Sequence, residues 1–191
     1  MKKDPIVQEG ATVLREVAKS VAKKDIGSRK LNALLAKMSK TLAQEGYGVA
    51  IAAPQVGESL RIFVIAGKAF ETDEDRKAFE EQGEENTTLY DRIFINPEIM
   101  RLSRKKKEMS EGCLSVRGKY GTVIRHEKAT VKALDEYGKP FVYHGSGLIG
   151  HIFQHECDHL NGILYIDKAV QLEEDEDLPS ARKKVREKHG I

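Results

Sequence analysis

A histidine–glutamate motif in the last quarter of the chain is the stretch with the clearest chemical potential. The segment His155-Glu156-Cys157-Asp158-His159 holds two histidines four positions apart, with a glutamate directly after the first. On an α-helix, residues four apart lie on the same face, so both imidazoles can point at one metal ion. Glu156 is then placed to take the proton of a water bound to that ion. The motif predicts a hydrolytic metal site, although the same pattern also occurs in solvated helices.

The residues around the motif favour a buried helix. Apolar side chains precede it, and glycines at 145 and 147 and the pair Asn161-Gly162 limit the helix to roughly four turns. Buried histidines need partners, because an unpaired buried polar group costs about 1–3 kcal/mol. His151 lies one turn before His155, but three histidines over about 12 Å of helix cannot bind one ion. The glutamate beside His155 indicates that His155 and His159 are the pair.

A third ligand is needed, because zinc-like catalytic sites use three protein ligands and an open position. The chain has two cysteines, Cys113 and Cys157. Cys157 lies about 200° round the helix axis from His155, which predicts a core residue facing away from the site. Cys113 as a thiolate would complete a set of two histidines and one cysteine. The alternative is a buried inert thiol, the commoner fate of a lone cysteine, and spacing alone leaves both open.

Composition excludes several classes of protein. The 191 residues predict one domain, and a net charge of +2 is too small to indicate DNA binding. No window approaches 18 apolar residues, so we expect no membrane span, and the N-terminus lacks the apolar core of a signal peptide. Two cysteines far apart in sequence are typical of a reducing compartment, so we expect a cytoplasmic protein.

Apolar periodicity predicts the main elements. Leucines and a methionine at helical spacing, with Ser28 as N-cap, indicate a helix over residues 28–45. Residues 11–22 fit either a short helix or a docked irregular arm. The predicted strands are 61–65, 92–97 ending at Pro97, a hairpin of 129–134 with 141–143, and 163–166.

Two polar stretches interrupt or follow these elements. Residues 67–91 are predicted as a surface excursion, partly helical or disordered, and the basic run 104–107 as a solvated turn. The elements together predict an α+β fold with antiparallel β-sheets packed around a central helix that carries the metal motif, plus an N-terminal amphipathic helix. We expect a single domain over residues 1–168 and a charged C-terminal tail over 169–191, helical or loose.

A segment rich in small residues, 46–57, lets the backbone approach another group closely. It fits a tight loop against the core. It also fits a strand edge that binds an extended ligand through its own N–H and C=O groups, with Gln55 as a side-chain donor.

Three separated segments in this order resemble the signature motifs of peptide deformylase. They are Gly48-Val49-Ala50-Ile51-Ala52-Ala53-Pro54-Gln55, Glu111-Gly112-Cys113-Leu114-Ser115 and Gln154-His155-Glu156-Cys157-Asp158-His159. The resemblance covers roughly residues 5–168 and implies a catalytic domain that removes the N-formyl group from the initiator methionine of nascent proteins, releasing formate.

The resemblance also implies roles for individual residues. Cys113, His155 and His159 would hold one divalent metal ion, natively Fe(II), with Zn, Ni or Co able to replace it. Glu156 would be the general acid and base. Gln55 and the backbone N–H of Leu114 would bind the developing oxyanion.

Substrate contacts follow from the same resemblance. The formylmethionyl peptide would lie extended along Gly48, Val49 and Ala50, with His151 near the pocket for the methionine side chain. The ribosome is expected as a transient partner, and the basic segment 182–188 could contact its anionic surface.

This chain departs from the family at three positions. Ala50 stands where the first motif usually has a glycine, and we expect a negative φ there, which alanine tolerates. Arg117 stands where many relatives have proline, and we place it at the mouth of the site. His151 is expected to narrow or polarise the methionine pocket.

Two other functions remain open. A zinc endopeptidase would need a third ligand downstream of His159 and would leave Cys113 and Gln55 without a role. A binding module that kept the fold without catalysis would not need Glu156.

Overall fold

The computed structural model describes residues 4–70 and 90–174, which form an α+β fold with antiparallel sheets, as predicted. The helices are α1 (Arg29–Gln44) and α2 (Gly147–His159). The strands are β1 (Ala50–Ala52), β2 (Ile62–Ile65), β3 (Arg92–Leu102), β4 (Lys106–Cys113), β5 (Val116–His126), β6 (Lys128–Leu134), β7 (Pro140–Ser146) and β8 (Gln171–Glu174).

Two antiparallel sheets organise these strands. The five-stranded sheet has the order β1-β2-β3-β6-β7, and the three-stranded sheet has the order β4-β5-β8. The predicted hairpin is confirmed as β6 and β7. Its turn is closed by Asp135, whose side chain accepts hydrogen bonds from the backbone N–H groups of Tyr137 and Lys139, and by Gly138 at a φ of 81°.

Helix α1 begins after Ser28, whose hydroxyl accepts a hydrogen bond from the N–H of Leu31 at 3.2 Å. Its leucine-rich face is buried against one face of β1 and β2. Helix α2 packs on the opposite face of the same sheet. Helix α1 therefore covers one face at β1 and β2, whereas α2 covers the opposite face at β1, β3, β6 and β7.

Strand β2 shows why its sequence is continuously apolar. Phe63 and Ile65 lie in the core that contains α2, whereas Ile62 and Val64 lie in the core that contains α1. Successive side chains of a strand point to opposite faces, and here both faces are buried.

The predicted end of the second strand at Pro97 is wrong, because β3 continues to Leu102. The register shifts between Ile95 and Glu98, so Pro97 lies in an irregularity where a missing N–H is tolerated. Asn96 has a φ of 50°, and its side chain bonds both the N–H and the C=O of Val21. The side chain replaces backbone pairing at the interruption and fastens the N-terminal segment to the sheet.

Two predictions near the C-terminus are also wrong. Residues 163–166 are not a strand: Tyr165–Asp167 is a 3-10 turn, stabilised by the carboxylate of Asp167, which accepts from the N–H of Leu164 at 2.8 Å. Within the predicted helical or loose tail, Gln171–Glu174 is strand β8 and pairs with β5. The acidic composition favours a loose segment, but pairing with the distant strand β5 makes these residues a strand.

The remaining stretches combine order and irregularity. Residues 4–22 form an irregular N-terminal arm, and its stretch 11–22 contains a 3-10 turn at Thr12–Arg15. The polar excursion cannot begin at residue 67, because Gly67–Phe70 is a 3-10 turn with Ala69 and Phe70 buried. Residues 71–89 and 175–191 lie outside the described chain. Among the described helices, none has the length and apolar character needed to cross a bilayer.

Candidate metal centre

One thiol and two imidazoles converge at the end of β4. The ligand atoms of Cys113, His155 and His159 all lie within 4.8 Å of one another, and the Sγ of Cys113 is 3.2 Å from the Nε2 of His159. The structure thus brings together the three predicted ligands. Cys157, also on α2, is buried in the apolar core, as predicted. Burial raises the pKa of its thiol to about 12.

Local structure explains this convergence. Cys113 is the last residue of β4, where a register shift after Glu111 precedes a tight turn into β5. Both histidines lie on α2, and their ring centroids are 5.0 Å apart. A strand end and one helix face therefore meet.

The donor set fits a divalent transition metal ion. A thiolate with two imidazoles is typical of zinc- and iron-type sites with three protein ligands and an open position. Among the described residues, the Oε2 of Glu156 and the Nδ1 of His159 are buried without a hydrogen-bond partner. An unpaired carboxylate oxygen beside these ligands is a natural acceptor for a water molecule.

A buried carboxylate, Glu111, holds His155 in place. Its Oε2 lies 2.7 Å from the Nδ1 of His155, and Arg125 donates to both oxygens at 2.7 and 3.1 Å. Burial would raise the pKa of Glu111, but hydrogen bonds from His151, His155 and Arg125 outweigh it and lower the pKa. The ionised carboxylate can only accept, so the Nδ1 of His155 carries a proton, and Nε2, on the side of Cys113, is the nitrogen left to bind a metal.

Sequence reasoning gave no role to Glu111 or Arg125. Glu111 stands two residues before Cys113, within the quoted motif, which is a signal that could have been used. Arg125 lies in β5, 14 positions after Glu111, and no local sequence pattern indicates that the two side chains pair. It also forms an ion pair with Asp158 of α2, which in turn pairs with Lys168 at 2.7 Å.

His151 lies against the carboxylate of Glu111. It is buried, and its Nε2 lies 2.6 Å from the Oε1 of Glu111. The expected contact of His151 with a substrate side chain stays a prediction. Its position one turn before His155 puts both histidines against the same carboxylate.

Glu156 lies between the two histidines in sequence and is 3 % exposed. Burial raises its pKa to about 7 from a usual 4.5, with the charge of Glu111 adding to the rise and that of His155 opposing it. A carboxyl group that titrates near neutrality can both take up and release a proton under physiological conditions.

Gln55 presents its amide nitrogen to the cluster. Its Oε1 accepts from the N–H of Ala52 at 2.8 Å, which leaves Nε2 at 3.5 Å from the Sγ of Cys113 and 3.3 Å from the Oγ of Ser115. Leu114 directly follows Cys113 in the turn between β4 and β5.

The N-terminal arm braces both of these segments. The N–H of Val7 donates to the carbonyl of Gln55 at 2.8 Å, and the N–H of Glu9 donates to that of Ser115 at 2.7 Å. The side chain of Gln8 donates to the carbonyl of Leu114 at 3.1 Å. Three successive arm residues thus connect the loop of Gln55 to the turn after Cys113.

The segment Gly48-Val49-Ala50 leads into β1, which is an edge strand of the five-stranded sheet. Ala50 pairs with Ile65, and among described non-glycine residues only Asn96 has a positive φ, so alanine is tolerated as expected. A Cβ at Gly48 would lie 3.2 Å from the side chain of Leu114. Glycine therefore allows the edge strand to lie close to the turn after Cys113.

Arg117 lies on the surface near this edge. It donates to Glu45 at 2.9 Å and forms a second ion pair with Asp4 at 3.3 Å. The hydrogen bond to Glu45 is the main reason that its pKa is raised. The side chain thus connects the end of α1 to the arm.

Comparisons with known proteins agree with this arrangement. The family model described as polypeptide deformylase matches residues 3–175. Peptide deformylase from Carboxydothermus hydrogenoformans is 40% identical over 166 residues, which are 87% of this chain and 88% of the relative. Peptide deformylase from Halothermothrix orenii is 42% identical over 166 residues, 87% of this chain and 93% of the relative. The structure of Met-Ala-Ser-bound class I type b peptide deformylase from Acinetobacter baumannii is similar with a TM-score of 0.72 at 34% identity, covering 86% of this chain and 96% of that one.

Proposed function

Because the chain belongs to the peptide deformylase family, which removes the N-formyl group from nascent peptides, we propose that Cys113, His155 and His159 bind its catalytic metal ion. The observation that carries this proposal is the convergence of one thiol and two imidazoles within 4.8 Å. The Nδ1–H of His155 donates a hydrogen bond to Glu111, which leaves Nε2 to bind the metal.

We infer that the ion is Fe(II) in the native enzyme and that Zn, Ni or Co can take its place, because the three ligands suit all of these ions. When bound, such an ion supplies a Lewis acid that makes water more acidic and polarises the formyl carbonyl. A thiolate ligand needs reducing conditions, and both cysteines are free, which supports a cytoplasmic location.

Glu156 performs the proton transfers in this proposal. Its carboxylate takes a proton from the attacking water and gives it to the amine that leaves as the formamide C–N bond breaks. The pKa of about 7 supports this role, because the group is partly ionised at neutral pH and its conjugate acid remains a usable donor.

Gln55 and Leu114 bind the formyl oxygen as it acquires negative charge. The Nε2 of Gln55 is held beside Cys113 by the bond between its Oε1 and Ala52, so it needs no reorientation on reaction. The backbone N–H of Leu114 is the second donor. Each such donor contributes about 3–4 kcal/mol to stabilisation of the transition state.

The substrate is a formylmethionyl peptide that lies along Gly48, Val49 and Ala50. An edge strand binds an extended peptide through main-chain hydrogen bonds, which tolerates many sequences after the methionine. The Met-Ala-Ser-bound structure of the relative from Acinetobacter baumannii supports this class of ligand.

The architecture in this proposal places α2 at the centre of one catalytic domain over residues 1–168. Side chains of α2 share a core with strands of the five-stranded sheet, and His151 and His155 contact Glu111 of the three-stranded sheet. Strand β8 extends that second sheet beyond residue 168.

Formate release tests the proposal. Protein purified anaerobically with Fe(II) is assayed with formyl-Met-Ala-Ser, alongside Glu156→Ala and the surface control Glu98→Ala. We expect turnover by the wild type and by Glu98→Ala, and loss of at least about a hundredfold in Glu156→Ala, since general acid–base catalysis contributes about 10²–10⁴. Metal content of each variant is measured in parallel. Full activity in Glu156→Ala would remove the general-base assignment. Absence of formate release by the metal-loaded wild type would revive the endopeptidase or binding-module alternatives.

Docking at the ribosome remains a proposal that rests on the charge of residues 182–188, outside the described chain. Deletion of residues 178–191 is expected to weaken co-sedimentation with ribosomes at low salt. Unchanged co-sedimentation would contradict it.

A further inference from the structure

We propose that His151 is a positioning residue of the metal centre: it fixes the carboxylate of Glu111, and Glu111 in turn orients His155. The inference rests on the proposed function, in which His155 binds the metal ion. His151 does not itself touch the metal or the substrate in this scheme.

The two oxygens of Glu111 divide their partners between the two histidines. The Oε1 atom is 2.6 Å from the Nε2 of His151 and 2.7 Å from the Nε of Arg125. The Oε2 atom is 2.7 Å from the Nδ1 of His155 and 3.1 Å from the Nη2 of Arg125. Arg125 therefore spans the carboxylate, and one histidine holds each oxygen.

Arg125 and His151 hold this carboxylate from different elements. The guanidinium of Arg125, on β5, donates to both oxygens and so fixes the plane of the carboxylate. His151 adds a third donor from α2, on the Oε1 side alone. The four-residue spacing on α2 sets the distance between the two donors, so the helix itself fixes where Glu111 meets His155.

Burial makes this arrangement effective. Glu111, Arg125 and His151 are 4 %, 4 % and 7 % exposed. Water has little access to replace a lost donor, so removal of the His151 imidazole leaves Oε1 with one partner. Groups that hydrogen-bond a metal-binding histidine typically change metal affinity by about 10–100-fold when they are removed. His151 acts one bond further out, so its effect should be smaller.

Two other roles for His151, as a metal ligand or as a purely structural residue, predict different observations. As a metal ligand, His151 would belong to the converging group, but that group consists of Cys113, His155 and His159. As a purely structural residue, His151 would stabilise contact between α2 and β4 without changing metal affinity in the folded protein.

The test is the affinity of the metal-free chain for Co²⁺, measured by competition with a chromophoric chelator. The variants are His151→Leu, His151→Gln and Glu111→Gln. Ile149→Ala is the matched control, because Ile149 is buried on the same helix and belongs to the apolar core. Thermal unfolding of each metal-free variant is recorded beside its affinity.

We expect His151→Leu to raise the Kd for Co²⁺ by about 3- to 10-fold and Glu111→Gln by about 10- to 100-fold. His151→Gln should stay within about twofold of the wild type, because a glutamine amide can donate from nearly the same place. Ile149→Ala should lower the unfolding temperature with little change in Kd. If His151→Leu fails to fold, His151→Asn takes its place, since the shorter amide cannot reach Glu111.

Three results would overturn the inference. The first is an unchanged Kd in folded His151→Leu. The second is a loss in Ile149→Ala equal to that in His151→Leu at the same loss of stability, which would make the role structural. The third is a normal Kd in Glu111→Gln. Failure of the wild type itself to bind Co²⁺ is a separate outcome, and it would refute the proposed metal site together with the inference.

Discussion

His155 and His159 lie one turn apart on α2 and converge on the same thiol, yet they are held in opposite ways. His155 has an ionised carboxylate on its Nδ1, whereas the Nδ1 of His159 is buried without a partner in the part of the chain that the structure describes. Burial lowers the pKa of both rings. For His155, hydrogen bonds to Cys113 and Glu111 outweigh burial and raise the pKa, while for His159 the charge of His155 lowers it further.

The difference shows two ways to prepare a histidine ligand. On the His155 side lies a polar scaffold of Glu111, His151 and Arg125, extended by Asp158. It holds the Nδ1–H of His155 and fixes the ring. On the His159 side, burial and the charge of His155 keep the ring neutral without a hydrogen-bond partner on Nδ1, and the neutral ring is the form that binds a metal. The first route costs buried charges, which need complete pairing. The second route leaves one polar atom unsatisfied.

The largest expected effect comes from breaking the scaffold itself. Glu111→Ala leaves Arg125 buried without its main counter-charge, and loss of one partner of a buried ion pair costs about 3–5 kcal/mol. The free energy of unfolding, measured in urea, should fall by that amount. The control is Arg15→Ala, which breaks the more exposed pair with Asp167 and should cost under about 1 kcal/mol. Equal losses in the two variants would mean that the buried pair of Glu111 and Arg125 stabilises the fold no more than an exposed pair does.

The buried carboxyl group of Glu156, which lies between the two histidines in sequence, makes the stability of the folded chain depend on pH. Its pKa is about 7 in the folded chain and near 4.5 when unfolded, so its contribution to stability is present below pH 4.5 and is lost as pH rises to 7. Between pH 5 and pH 8, metal-free wild type should lose about 2–3 kcal/mol relative to Glu156→Gln. Urea unfolding at the two pH values measures the difference. Parallel pH profiles for the two proteins would show that Glu156 is not shifted.

Substitution of each of the two histidines by glutamine tests which ring stabilises the fold through its Nδ1. Glutamine keeps a polar group near the Nε2 position but lacks Nδ1, so His155→Gln loses the bond to Glu111 and His159→Gln loses none there. Metal-free His155→Gln should be less stable than His159→Gln by about 1–3 kcal/mol, the cost of a hydrogen bond to a charged group. Thermal or urea unfolding at pH 7 compares them. The reverse order would refute the contrast between the two sides.

The smallest effect is expected at the outer end of the scaffold. Lys168 pairs with Asp158 at 2.7 Å but is 40 % exposed, so solvent screens the pair. Lys168→Ala should change the free energy of unfolding by under about 1 kcal/mol and leave the affinity for Co²⁺ unchanged. A larger change in either quantity would extend the scaffold to the surface.

Much of the metal centre could be predicted from sequence where its geometry is local. The spacing of His155 and His159 is a property of one helix turn, and the position of Glu156 follows from it. Cys113 could not be assigned by spacing, because the contact between β4 and α2 joins distant parts of the chain, and it was assigned only by family resemblance. Pairing of Glu111 with His151 is non-local in the same way.

The fold shows the same limit. Helix α1 follows from periodicity and a cap, and the β6–β7 hairpin follows from two short runs and a turn. Strand β3 runs past Pro97 because β6 pairs with its residues from Glu98 to Leu102 beyond the register shift, which a local rule about proline does not reveal. Strand β8 forms because β5 offers an edge for pairing, which an acidic sequence does not reveal.

The N-terminal arm has a consequence for the order in which the molecule forms. Gln8 and Leu114 are bonded although they are 106 positions apart in sequence. Contacts of such separation form late in folding, because the entropy of closing the intervening chain must be lost first. Helix α1 and the β6–β7 hairpin need no such closure. During refolding, the turn after Cys113 should therefore reach its final shape after most secondary structure is present, and the ability to turn over substrate should lag behind the recovery of helical signal.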